Sequence, residues 1–332
     1  MMHRRNLMSA GSALLVQDVF SSDYGVGTAG AQSFNIGVDL LNEGGMIWAK
    51  SQFTVGTHSI VDSERGPTAM SGSTYLGEHY PNATTAALDT DDLDAYTATG
   101  FTLRSSTGTM NSTGVGYAFW TFAKAARFFD IVTYTGDGAS NRAIAHSLGV
   151  TPGLIIIKRT DAATNWVVGH NYDFTKDFRL NLSDAAATNS IFNGSDASNF
   201  RVNASATPSR DVNQSGGSYV AYIFAHDSTA PGVISCGSYT GNGSTTGPVV
   251  TLGWEPQFLI VKRADVAGDW IMLESYRDGT NPRSAALYAN TTAAEFSGFD
   301  TDFLSTGFQP KVATAGINAS GGTYIYMAIR AV

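Results

Sequence analysis

The sequence predicts an all-β protein made of three tandem β-sandwich, jelly-roll-like modules related by internal repetition. Three observations predict it. One ordered set of markers occurs three times along 332 residues. The apolar runs are short, rich in β-branched and aromatic residues, and bounded by glycine and proline, as buried strands are. The composition, with 36 glycines and only 14% charged residues, disfavours a helical bundle, because glycine and short polar residues weaken helix interiors.

The repeat is anchored by an apolar run ending in lysine: Met46-Ile47-Trp48-Ala49-Lys50, Leu154-Ile155-Ile156-Ile157-Lys158 and Phe258-Leu259-Ile260-Val261-Lys262. Ten residues before each lysine stands a leucine, Leu40, Leu148 or Leu252. Eight residues after it stand His58, Trp166 and Trp270. The stretch from Asp62 to Arg65 answers Glu274 to Arg277, while the middle copy has diverged to His170-Asn171-Tyr172-Asp173. Each copy closes on N-x-x-G-x-x-Y and an apolar strand, at Asn111, Gly114, Tyr117, at Asn213, Gly216, Tyr219, and at Asn318, Gly321, Tyr324. The openings are Tyr134-Thr135-Gly136-Asp137-Gly138 and Tyr239-Thr240-Gly241-Asn242-Gly243, with a looser Tyr24-Gly25-Val26-Gly27 in the first copy. Order and spacing place the modules at 1–127, 128–229 and 230–332, with a turn-rich joint at Asp227–Gly232 before the third.

A hundred residues of short strands suits one sandwich per copy. The N-x-x-G segments read as tight turns, since asparagine and glycine tolerate positive φ. Phe119–Phe129 has some helical character, but Tyr117–Phe122 matches the closing strands of the other copies, so strand followed by linker is expected. The recurring lysines are expected where strands reach solvent, with the ammonium snorkelling outward, and the recurring tyrosines as core or rim aromatics.

Function classes narrow by elimination. A net charge of −8 disfavours nucleic-acid binding. No apolar run approaches the 20 or so residues of a membrane span. The basic Met1–Arg5 followed by the short apolar Ala13–Val16 is expected to be a tail leading into the first strand, not a signal peptide. One cysteine, Cys236, forms neither an intrachain disulfide nor a cysteine zinc site. No P-loop, G-x-S-x-G or HExxH occurs, and the six histidines show no ligand spacing, so they are expected at surfaces or interfaces and no metal or cofactor is expected. Gly25-Val26-Gly27-Thr28-Ala29-Gly30 has the G-x-G-x-x-G form, but the adjoining Ser33-Phe34-Asn35-Ile36-Gly37 does not start a helix, so it reads as a glycine-rich approach to a strand. Asp89-Thr90-Asp91-Asp92-Leu93-Asp94 reads as a solvated acidic loop, with calcium or a carboxylate pair for glycoside hydrolysis as the sharper alternatives. The sequons read as turn chemistry.

Three strings carry a resemblance: Ser238-Tyr239-Thr240-Gly241-Asn242-Gly243-Ser244-Thr245, Leu252-Gly253-Trp254-Glu255-Pro256-Gln257 and Asn318-Ala319-Ser320-Gly321-Gly322-Thr323-Tyr324. They resemble a repeat module of tailed-bacteriophage virion structural and tail-fibre-like proteins, and the similarity runs through all three copies. The resemblance implies a non-enzymatic virion component on the tail or capsid exterior, acting in assembly or host-surface adhesion. It brings no catalytic motif. It implies other virion proteins as partners, a homo-oligomer (a trimer by analogy with fibres) and a host-surface glycan or protein as target. The three sandwiches are expected to stack into a rigid spacer. The chain stops just after the third closing strand, at Ala331-Val332, which favours a compact fibre, tail appendage or capsid ornament. The alternatives are a capsid decoration or head-fibre protein, and a lectin-like module presenting Trp166 and Trp270 on a concave face; a tailspike-like glycan-degrading enzyme is the remaining reading.

Overall fold

The computed structural model describes residues 14–65, 75–90, 92–104, 108–205, 207–227 and 232–332. Met1–Arg5, Asp91 and most of the joint before the third copy (228–231) lie outside them. The chain is all-β, and every strand pairing among the described residues is antiparallel.

Each copy builds the same four-stranded unit. An opening strand (Phe20–Val26, Phe129–Thr135, Ile234–Thr240) pairs with the closing strand (Gly116–Ala123, Ser218–Ala225, Thr323–Arg330). The closing strand pairs with the central, lysine-bearing strand (Gly45–Ser51, Pro152–Arg159, Pro256–Arg263). The central strand pairs with its successor in the chain (His58–Asp62, Val167–His170, Trp270–Glu274). The first opening strand is preceded by a single helical turn, Val16–Val19.

A second set of short strands also recurs in one order: Gln32–Asn35, Gly100–Leu103, Leu93–Thr97 in the first copy, and Arg142–Ala145, Asn199–Val202, Phe192–Ser195 in the second. In the third copy Val250–Thr251, Gly307–Pro310 and Phe296–Leu304 join the main sheet through Arg283–Tyr288, giving one eight-stranded sheet.

The central strands alternate with period two, yet both faces are buried. In the first copy Ile47 and Ala49 face that copy's own core, with Phe101, Tyr117 and Phe119. In the third, Leu259 and Val261 do the same, with Phe303, Phe308 and Tyr324. The opposite faces, Met46 and Trp48, Leu154 and Ile156, Phe258 and Ile260, all enter one core shared by the three copies. At its middle Phe122 of copy 1 contacts Phe224 of copy 2 at 5.5 Å and Phe258 of copy 3 at 6.3 Å between ring centroids.

The copies therefore close into a ring and do not form the expected linear stack. A row would leave two end sheets with an apolar face in water; closure covers all three. Backbone bonds at equivalent positions complete it. Ala87 N–H donates to Thr160 O at 3.0 Å, Ala186 N–H to Ala264 O at 2.9 Å, and Glu295 N–H to Gln52 O at 2.7 Å. Each acceptor lies two residues past the repeat lysine, so the bonds run from copy 1 to 2, 2 to 3, and 3 back to 1.

The N-x-x-G asparagines tie each closing turn to its opening loop. Asn111, Asn213 and Asn318 are wholly buried. Their Oδ1 atoms accept the amides of Thr28, Asp137 and Asn242, and their Nδ2 groups donate to carbonyls including Gly30, Ala139 and Ser244. Gly114, Gly216 and Gly321 hold φ of +75°, +79° and +72°, the region the turn requires. The motif tyrosines cap the same turns by accepting the amides of Ser112, Gln214 and Ala319.

Because one core serves all three copies, the full chain is expected to unfold in a single calorimetric transition. Phe122→Ala should cost about 3–5 kcal/mol by denaturant titration and lower the melting temperature of that one transition without splitting it.

Candidate functional site

The recurring lysine and tryptophan positions converge on the three seams between copies. Each repeat lysine is fully buried, which corrects the expectation of a solvated end. Lys158 Nζ donates to Thr84 O of copy 1 at 3.0 Å and to Thr164 O at 2.6 Å. Lys262 Nζ donates to Ser183 O of copy 2 at 3.1 Å and to Arg263 O at 2.9 Å. Lys50 Nζ donates to Ser51 O at 2.7 Å and to Ser51 Oγ. The strand alternation puts each lysine on the shared-core face; a neighbour's loop brings a carbonyl to Lys158 and Lys262, whereas Lys50 is satisfied within its own copy, so each ammonium serves as a donor where water is excluded. Burial lowers Lys50 and Lys262 to about 8 and Lys158 to about 7.

Trp166 and Trp270 are buried as well, so they offer no aromatic face to a sugar. Trp166 Nε1 donates across the seam to Tyr80 O and Ala83 O, both at 3.1 Å, and Trp270 Nε1 to Arg179 O at 2.9 Å. In copy 1 the slot holds His58, whose Nε2 meets Tyr288 O at 2.8 Å. Since Trp48 Nε1 donates to His58 Nδ1, the His58 proton sits on Nε2 and donates to that carbonyl.

A further seam position lies twelve residues past each lysine, at Asp62, His170 and Glu274, all buried. Tyr222 OH donates to Asp62 Oδ2 at 2.7 Å, Trp120 Nε1 donates to Glu274 Oε2 at 3.0 Å, and His170 Nε2 meets Tyr326 O at 3.0 Å. Arg65 and Arg277 ion-pair with the two carboxylates from three residues on. The alignment of Asp62 with Glu274 was legible in the sequence; the seam role was not, because His170 read as divergence when it makes the same kind of cross-copy contact with different chemistry.

The other sequence candidates are dispersed. Asp92 turns inward and accepts from Thr109 Oγ1 and Met110 N–H, and Asp94 pairs with Arg104 at 3.5 Å. Among the described residues no three His, Cys, Asp or Glu side chains come together as a metal site. The amides of Thr28 and Ala29 in the glycine-rich string are taken by Asn111, and a strand comes next. A Cβ on Gly27 would lie 2.2 Å from Ser112 O, so close backbone approach explains that glycine. Cys236 is buried, and desolvation pushes its thiol far up, which makes it inert.

A cavity of about 780 Å³ opens on the seam between copies 1 and 2, lined by Glu64, Arg65, Thr133, Tyr134, Thr160, Asp161 and Ser218 among others. Its carboxylates are engaged: Glu64 with Lys124 at 2.6 Å and Asp161 with Arg159 at 2.7 Å. The hydrogen bond from Arg159 holds the Asp161 carboxyl below its usual range, so it stays ionised and is unsuited to general-acid work. The lining suits hydrogen bonding to a polyhydroxylated ligand better than proton transfer.

Residues 17–331 match the family described as Domain of unknown function (DUF7483), and the chain belongs to that family. No curated protein matches it.

The lysines set a pH dependence. Unfolded lysine keeps its proton to about 10.4, whereas the buried ones release theirs at about 7–8. Between those limits the unfolded chain binds more protons, so stability rises with pH. The melting temperature should climb from pH 7 towards pH 9.5, and Lys158→Met should remove about a third of that slope. Trp166→Ala and Trp270→Ala should each cost about 3–5 kcal/mol in urea titrations, as buried seam residues do.

Proposed function

We propose that this member of the DUF7483 family is a non-enzymatic structural component of a bacteriophage particle, acting in assembly or host-surface adhesion as part of a tail fibre or tail appendage. The observation that carries the proposal is the use made of the recurring side chains. Lysines and tryptophans are buried at the seams of the ring, and asparagines and tyrosines hold the turns within each copy. Many exposed positions hold hydroxyl, amide or small residues, which suit many modest contacts whose sum is strong. The resemblance in the repeat strings supplies the virion context. The expected partners are other virion proteins and a host-surface glycan or protein.

The oligomer proposed by analogy with fibres is a trimer. The internal ring supplies a second route, in which one chain occupies a three-fold position alone. Light scattering decides between them, through a mass of 35.0 kDa or three times that value.

A capsid decoration is the alternative location. A lectin-like activity is favoured by one observation, the hydroxyl-lined cleft between copies 1 and 2. Electron microscopy of particles labelled with antibody against this chain should place it on the tail; label confined to the capsid would move it there, and particles without label would end the virion proposal. Incubation with host-envelope glycans should give retention without shortening of the polysaccharide; release of oligosaccharides would establish an enzyme.

A further inference from the structure

Each seam of the ring fully buries one histidine with no place for a second proton, and at the seam of copies 2 and 3 the half-buried His226 also accepts the Cys236 amide on Nδ1. At the seam of copies 3 and 1, His58 Nδ1 accepts from Trp48 Nε1 at 2.9 Å while Nε2–H donates to Tyr288 O. At the seam of copies 2 and 3, His170 Nδ1 accepts the Tyr172 amide at 3.0 Å while Nε2–H donates to Tyr326 O. At the seam of copies 1 and 2, His79 is fully buried, neither ring nitrogen has a hydrogen-bond partner, and its ring stands edge-on to Trp166 at 5.6 Å. The equivalent of His79 in copy 2 is Phe178, in the same edge-on contact with Trp270 at 6.0 Å.

We propose that the three histidines make the ring an acid-sensitive clasp, in which protonation opens the seams while the sheets of each copy persist. A proton on His58 or His170 must go to Nδ1, where it meets an N–H already pointing at that atom. A proton on His79 has no acceptor at all. The charged neighbours oppose it too: Lys50 faces His58, His226 faces His170, and Arg65 and Lys158 face His79. The seam carboxylates Asp62 and Glu274 are already held by Arg65 and Arg277. Burial accordingly drives all three imidazoles below their usual range, His58 to about 3 and His170 to about 4.

Linkage fixes the sign. A depressed histidine favours the closed ring above about pH 6.5, and that contribution fades as pH falls, because only the opened seam takes up the proton. At pH 5 each released imidazole favours opening about 30-fold.

Hydrogen exchange on the full chain tests this, because three amides report one seam each: Ala87, Ala186 and Glu295. Between pH 7.5 and pH 5, after correction for intrinsic exchange, protection of these amides should fall at least tenfold while Ile156 in a central strand keeps its protection. The variant His58→Gln, His79→Phe, His170→Gln retains donors to Tyr288 O and Tyr326 O and should hold seam protection at pH 5. Should that triple variant not fold, His79→Phe alone, which copies Phe178, should protect Ala87 selectively. Seam protection unchanged at pH 5, an equal fall in the variants, or loss of Ile156 together with the seams would overturn the proposal.

Discussion

The structure depends on a single constraint: the central strand of every copy is apolar on both faces, and one sandwich covers only one of them. The second face needs neighbours. Two copies side by side would each still expose part of it, whereas three sheets facing inward enclose it completely. Phe122, packed on Phe224 and Phe258, marks the place where the three meet. The lysines, tryptophans and seam bonds are consequences of this closure. They lie where strands end and loops of the next copy arrive, and there the backbone carbonyls need donors that water cannot supply.

That arrangement explains how a chain with only 14% charged residues buries so much ionic and polar chemistry. The buried lysines meet carbonyl and hydroxyl oxygens, not carboxylates, so each functions as a donor of two hydrogen bonds and not as half of an ion pair. The carboxylates Asp62 and Glu274 are instead neutralised locally by arginine and turned across the seam towards a tyrosine hydroxyl and an indole. In a buried ion pair of this kind the cost of desolvation offsets much of the attraction.

Much of the fold was readable from the sequence. The strands, their threefold recurrence and the buried tyrosines were visible because period, spacing and turn residues are local properties. Closure was not, since a linear stack and a ring require the same local pattern. The missed evidence was the double-sided burial implied by Leu154-Ile155-Ile156-Ile157, a run too uniformly apolar for a sheet with one wet face. The lysines were misplaced for the same reason: at the end of such a strand solvent is the ordinary neighbour, and only the third dimension puts a loop of another copy there. Trp166 and Trp270 were visible as equivalent residues but not as cross-copy donors. His79 carried no repeat mark, since its counterpart in copy 2 is a phenylalanine.

The seams are alike in backbone and unlike in side chain. One joins a tyrosine hydroxyl to an aspartate, one an imidazole to a carbonyl, one an indole to a glutamate. A strand from the wrong copy would set the Asp62 carboxylate against Met327, or leave the Trp120 indole facing His170, whose Nδ1 already accepts the Tyr172 amide. Cyclic order is thereby written into the matching of donors to acceptors, and exchange of repeats between two chains, the hazard of any tandem architecture, is discouraged by chemistry that only the correct neighbour satisfies.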